Sequence, residues 1–201
     1  ELKTSLVVFL SILVVTVMLK EIIIDFKIQL QNRMEIKKII SLKSRRYCAF
    51  LVHFGIIVLI LGINFSSAFG SKYDVSLKKG EIAIFENYKI ELIDTYKKEN
   101  EAKSILGAIL KLYDGNKTYR LNPEQNNYKY EGNRDINKET EVAIYSTLTK
   151  DYYVILVGEN LKGNFNFKIH INPMVSLIWI GSLISIVGGI ILFVRKREIN
   201  D

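Results

Sequence analysis

The chain has 201 residues, 49% hydrophobic and 24% charged, so it is too apolar for a soluble domain unless its apolar residues are segregated. The net charge of +7 is concentrated: residues 71–172 hold 16 Lys and Arg against 15 Asp and Glu, and the surplus lies in residues 20–46 and in Arg195-Lys196-Arg197. That placement argues against a nucleic-acid face and for basic loops beside membrane spans. The one cysteine, Cys48, leaves no disulfide, CxxC redox pair or CxxCH haem-attachment motif within the chain.

Taken in order, Leu2 to about Ile24 is the first apolar span, with a helix running on to Phe26 as Lys20 and Glu21 reach back to the interface. Ser5, Ser11 and Thr16 are placed to bond their own helix backbone. Leu2 to Leu19 lacks the basic start and small-residue cleavage site of a secretion signal. The first residue is Glu, so the chain reads as a fragment or the C-terminal part of a longer product. Residues 27–46 form a basic loop, which the charge rule places in the cytoplasm. The spacing of Ile36, Ile39, Ile40 and Leu42 predicts a short surface helix there.

The second span covers 47–69, its apolar stretch running from Tyr47 to Ile63. It carries His53, and an ionisable residue inside a span is costly enough to be a candidate functional site. At 100° per residue, Arg46, Ile57, Ile60 and Asn64 share the His53 side, whereas Gly55 and Gly62 lie opposite. One side can receive a ligand, and the other suits close helix packing.

Residues 70–172 alternate with period two, as in Tyr88-Ile90-Leu92 and Phe165-Phe167-Ile169-Ile171. Asp114-Gly115 marks a hairpin, and Asn122 to Lys138 is the expected long loop. An antiparallel β domain of six to eight strands follows. Pro173 is expected in the first turn of a third span, 173–195, stopped by Arg195-Lys196-Arg197 before a tail at 196–201. The fold class is thus an α+β membrane protein: three transmembrane helices, with an extracytoplasmic antiparallel β domain between the second and third.

From the residues alone His53 has three readings: a neutral imidazole bonded to a neighbouring helix, an axial haem ligand, or a proton relay. His170, outward on a strand, is too far toward the other leaflet to complete a bis-histidine site, so a haem on His53 takes its second ligand from another chain or stays five-coordinate. Arg46 is either a positive-inside anchor or the partner of a haem propionate. Cys48 is a packing residue. No phosphate loop, HExxH or paired cysteine is present.

Three segments together resemble the C-terminal third of the CcmF family of cytochrome c maturation proteins, with the NrfE paralogues that serve a nitrite reductase as the close alternative. They are Arg45-Arg46-Tyr47 with Leu51-Val52-His53-Phe54-Gly55; Thr140-Glu141-Val142-Ala143-Ile144 with Asp151-Tyr152-Tyr153-Val154; and His170-Ile171-Asn172-Pro173-Met174-Val175-Ser176 with Trp179. The resemblance implies a haem lyase subunit with a haem b in the bacterial inner membrane, or the mitochondrial one if the chain is organellar. It implies His53 as one axial ligand of the iron, Arg46 beside it, and a β domain facing the periplasm. The implied partners are the N-terminal CcmF half, a CcmH-type thioreductive subunit, a CcmE-type haem chaperone and apocytochrome c. The tryptophan-rich segment and further histidines of the family are not in this chain, so alone it is not expected to catalyse haem attachment. The rival from another class is a membrane-anchored interaction module in which His53 only packs.

Overall fold

The computed structural model describes residues 2–31, 44–128 and 137–198. The chain forms two compact units, residues 1–69 with 174–201, and residues 70–173.

The first unit is helical. Its α1 (Leu2–Gln31), α2 (Ser44–Ala68) and α3 (Ser176–Glu198) are each long and apolar enough to cross a membrane. Thr16 Oγ1 donates to Ile12 O at 2.7 Å, so a hydroxyl in the apolar span is satisfied by its own helix. Two bounds differ from the sequence expectation. α1 continues past Phe26 to Gln31, and within it Glu21 and Asp25, four residues apart on one face, both meet Arg46 of α2. Pro173 is not in the first turn of α3. It is the last residue of a strand, and Met174, at φ +58°, turns the chain before the helix starts at Ser176. The expected surface helix around Ile36 to Leu42 lies outside the described residues.

α3 packs on the glycine side of α2. A Cβ at Gly55 would sit 2.6 Å from Gly181 O, and one at Gly62 would sit 2.8 Å from Ile178 N. The absent side chains let two backbones touch, and the one Ser185 hydroxyl proton is shared between Gly181 O at 3.0 Å on its own helix and Val52 O at 3.2 Å across the seam. Cys48 is buried in this seam beside Gly188, as a packing residue.

The second unit is a pair of antiparallel sheets with ten strands among its described residues, more than the six to eight that alternation predicts: β1 (Ser71–Leu77), β2 (Ile82–Phe85), β3 (Tyr88–Glu99), β4 (Lys103–Asp114), β5 (Lys117–Leu121), β6 (Glu124–Tyr128), β7 (Asn137–Glu141), β8 (Ala143–Ser146), β9 (Lys150–Glu159) and β10 (Phe165–Pro173). One sheet has the order β1-β10-β9-β8 and the other β2-β3-β4-β6-β7, with β5 also paired to β4. Asp114-Gly115 does form the β4–β5 hairpin, Gly115 taking φ +57°. The inward members of the period-two runs make the core: Ile90, Leu92, Leu110, Val154, Leu156 and Ile169 are fully buried.

β6 occupies part of the stretch expected as a long loop. Its sequence, Glu-Gln-Asn-Asn-Tyr, has no apolar alternation, yet Gln125 and Asn126 are buried. Gln125 Nε2 donates to Val157 O at 2.8 Å, and Asn126 Nδ2 to Glu141 Oε1 at 2.7 Å. Hydrogen bonds, not hydrophobicity, admit this strand to the sheet.

At one end of the sheets Asp114 Oδ2 accepts from Tyr152 OH at 2.5 Å and from Lys150 Nζ at 3.0 Å, and Lys150 also donates to Tyr88 OH at 3.0 Å. Burial alone would raise the Asp114 carboxyl, but the bonds from Tyr152 and Lys150 outweigh it and hold it below the ordinary value. A carboxyl depressed on folding contributes stability that is complete above its unfolded value, about 3.9, and fades as pH falls through the lower folded value. Asp114→Asn should therefore cost on the order of 1–3 kcal/mol near neutrality. It should also flatten the loss of stability on acidification below about pH 4, read from near-ultraviolet circular dichroism during thermal unfolding. A mutant that unfolds with the parent's acid profile would remove the role given to this carboxylate.

Candidate functional site

α2 has three faces. Val52, Gly55, Leu59 and Gly62 meet α3. Arg46, Tyr47, Phe54, Ile57, Leu61 and Phe65 are turned to α1, the last four lining a groove of about 360 Å³ between the helices. The third face is open. On it stand His53, which is exposed, and Ile56, Ile60 and Ile63, exposed by 43%, 43% and 49%. The expected His53 side is divided in the structure: Ile60 shares the open face with His53, whereas Arg46, Ile57 and Asn64 turn to α1, and Gly55 and Gly62 lie on the α3 side as expected.

The imidazole is oriented by its own helix. His53 Nδ1 lies 2.7 Å from Ala49 O, one turn earlier. A carbonyl oxygen only accepts, so Nδ1 carries the proton and donates it. The lone pair is then on Nε2, at the far tip of the ring and directed away from the helix. That is the tautomer a metal-ligating histidine uses when its other nitrogen is held by a backbone carbonyl. Among the described residues no group of three or more His, Cys, Asp or Glu side chains could hold a metal ion. His170 lies in the other unit. It is half-buried on β10, between Lys72 of β1 and Tyr153 of β9 in register.

Arg46 is engaged. Its guanidinium pairs with Glu21 and, at 3.1 Å, with Asp25, and it lies 5.4 Å from the Phe50 ring centroid. The Asp25 side chain is only 6% exposed, which makes this pair the better shielded of the two. Just beside it, Phe26 and Tyr47 bring their rings to 6.2 Å. These α1 carboxylates escaped the sequence analysis. The available signal was two acids four residues apart at the end of an apolar span, where charges normally find partners.

Removing one partner of a shielded pair strands the others, at a cost of about 3–5 kcal/mol when fully buried and less here, where Arg46 is 39% exposed. Arg46→Leu should loosen α1 from α2 while leaving the α2–α3 seam intact. Disulfide trapping between cysteines at 26 and 47 should fall markedly, with partial recovery in Arg46→Lys. Unchanged trapping in Arg46→Leu would show that the ion pairs do not hold α1.

No protein-family profile matches the chain. Curated relatives do. The cytochrome c-type biogenesis protein CcmF of Pseudomonas aeruginosa is 31% identical over 150 residues, 73% of this chain and 22% of the relative. The chain is homologous to part of CcmF. CcmF of Haemophilus influenzae is 30% identical over 75% of the chain, and that of Escherichia coli 29% over 72%, covering 23% and 22% of those proteins. The chain therefore spans under a quarter of the length of the CcmF proteins it matches, which fits a C-terminal portion. A solved structure titled cytochrome c heme lyase CcmF shares the fold, with a TM-score of 0.58 at 16% identity over 75% of this chain and 25% of that one. The three helices are long and apolar enough to cross a membrane, and the relatives are named for cytochrome c biogenesis.

Proposed function

We propose that this chain supplies one wall of a haem b site in a CcmF-type assembly of the bacterial inner membrane, with His53 as one axial ligand. The observation that carries the proposal is the Nε2 lone pair of His53, freed by the bond to Ala49 O and presented on an exposed, otherwise apolar helix face. When bound, haem supplies an iron that accepts and releases one electron. The chain's residues orient the imidazole, keep the surroundings apolar and hold the helices in register. The second axial ligand comes from the rest of the CcmF polypeptide.

Arg46 acts near this site by joining α1 to α2. A propionate reaching it would have to displace Glu21 or Asp25. The β unit faces the periplasm in this proposal and docks the partners of the maturation step: a CcmE-type haem chaperone, a CcmH-type subunit and the apocytochrome. The assembled machine, not this chain alone, attaches haem.

The test is co-expression with the remainder of CcmF and purification of the complex. The parent should show a b-type Soret band, and His53→Ala should lack it while retaining the partner. An interaction module with a packing histidine predicts the same spectrum, or no haem, in both.

A further inference from the structure

Two of the most exposed apolar side chains of the β unit stand at one end of it. Ile84 on β2 is 75% exposed, and Leu148, in the turn between β8 and β9, is 79% exposed. Contacts among their neighbours put both at this end: Phe85 stacks on Tyr73 of β1 at 4.4 Å, Tyr88 receives the Lys150 bond at 3.0 Å, and Lys150 follows Leu148 by two residues. Lys150 pairs in register with Pro173 and Ser71 with Ile171, so this is also the end where the chain enters and leaves the sheets. Only Phe69 and Gly70 separate α2 from β1, and only Met174 and Val175 separate β10 from α3. At about 3.6 Å per residue at most, the ends of two membrane-length helices stay within roughly 11 Å of these strands, however the two units are arranged. Trp179, in the first turn of α3 and 73% exposed, is of the type that marks a membrane interface.

Charges at the same end are largely compensated, with Lys72 and Lys89 exposed beside it. Lys150 and Asp114 neutralise each other, and the hairpin tips bear Glu86 and Lys117, one charge of each sign. The ends of the Leu148 turn are closed by hydrogen bonds: Thr147 N donates to Lys150 O at 2.9 Å, and Thr147 Oγ1 accepts from Lys150 N at 2.9 Å. Burying Leu148 therefore strands no backbone donor of that turn's closing pair. Leu161 is exposed as well, at 109%, but it tops the β9–β10 turn at the opposite end of the strands.

We propose that this end of the β unit rests in the lipid surface, with Ile84 and Leu148 entering the boundary between headgroups and acyl chains. The occupant is lipid, because the short links hold this end next to whatever bilayer α2 and α3 cross. The proposal rests on that crossing and not on haem.

The experiment uses the full chain in phosphatidylcholine nanodiscs, with single cysteines at 84, 148 or 161 carrying an environment-sensitive nitrobenzoxadiazole label in a Cys48→Ser background. Cys48 is buried, so the native background serves if that substitution disturbs the helices. Labels at 84 and 148 should emit to the blue of the label at 161, and spin-labelled lipid should quench them several-fold more strongly. Equal quenching at all three positions would overturn the proposal. So would blue-shifted emission at 84 and 148 without lipid quenching, which would mean that protein covers them.

Discussion

Gly181→Leu should force α3 off α2, the largest structural effect of any single substitution in the helical unit. A Cβ at Gly181 would lie 2.5 Å from Gly55 O, 2.5 Å from Leu59 N and 2.9 Å from Leu59 Cα. All three are backbone atoms, so no side chain can swing aside, and the helices have to separate. Separation also breaks the Ser185 to Val52 bond. Within a bilayer, helix association depends on close packing and a few such bonds, since lipid is as apolar as leucine. The cost should reach or exceed the upper end of the roughly 1–3 kcal/mol usual for overpacking. Gly189 is the control, because a Cβ there meets nothing within 4 Å. Spin-label distances between α2 and α3 should lengthen in Gly181→Leu and stay fixed in Gly189→Leu. Equal behaviour of the two variants would refute the seam.

Substituting His53 should produce the largest functional effect. Losing a partner that only orients a metal ligand typically costs about 10–100-fold in affinity. Losing the ligand itself should cost at least as much, so b-type absorbance per complex should fall by about tenfold or more. His53→Gln should not restore it, since an amide is a poor donor to haem iron. The α2–α3 seam lies on the far side of the helix, so its spin-label distances should not change.

Much of this was legible in the sequence, and the exceptions have physical causes. Long apolar runs and a 100° rotation per residue sufficed to find the three helices and to put His53 opposite Gly55 and Gly62. The ends of the helices were not legible, because they depend on partners distant in the chain. The acids near the end of α1 answer an arginine 21 and 25 residues away. Pro173 stays in its strand by pairing with Lys150. β6 was hidden because buried amides show no hydrophobic period, and their acceptors, Val157 O and Glu141, are assigned only by the fold. The tautomer of His53, on which the candidate site depends, comes from a carbonyl one turn away and leaves no trace in composition.

Chemical rescue tests the coordination most directly. His53→Gly, co-purified with the rest of CcmF, leaves a gap where the imidazole stood, and free imidazole can be added to fill it. The expected result is loss of the low-spin b-type spectrum in the variant and its return as imidazole is titrated in, with no such change in the parent. A variant that keeps the full low-spin spectrum without imidazole would contradict His53 as a ligand of the iron.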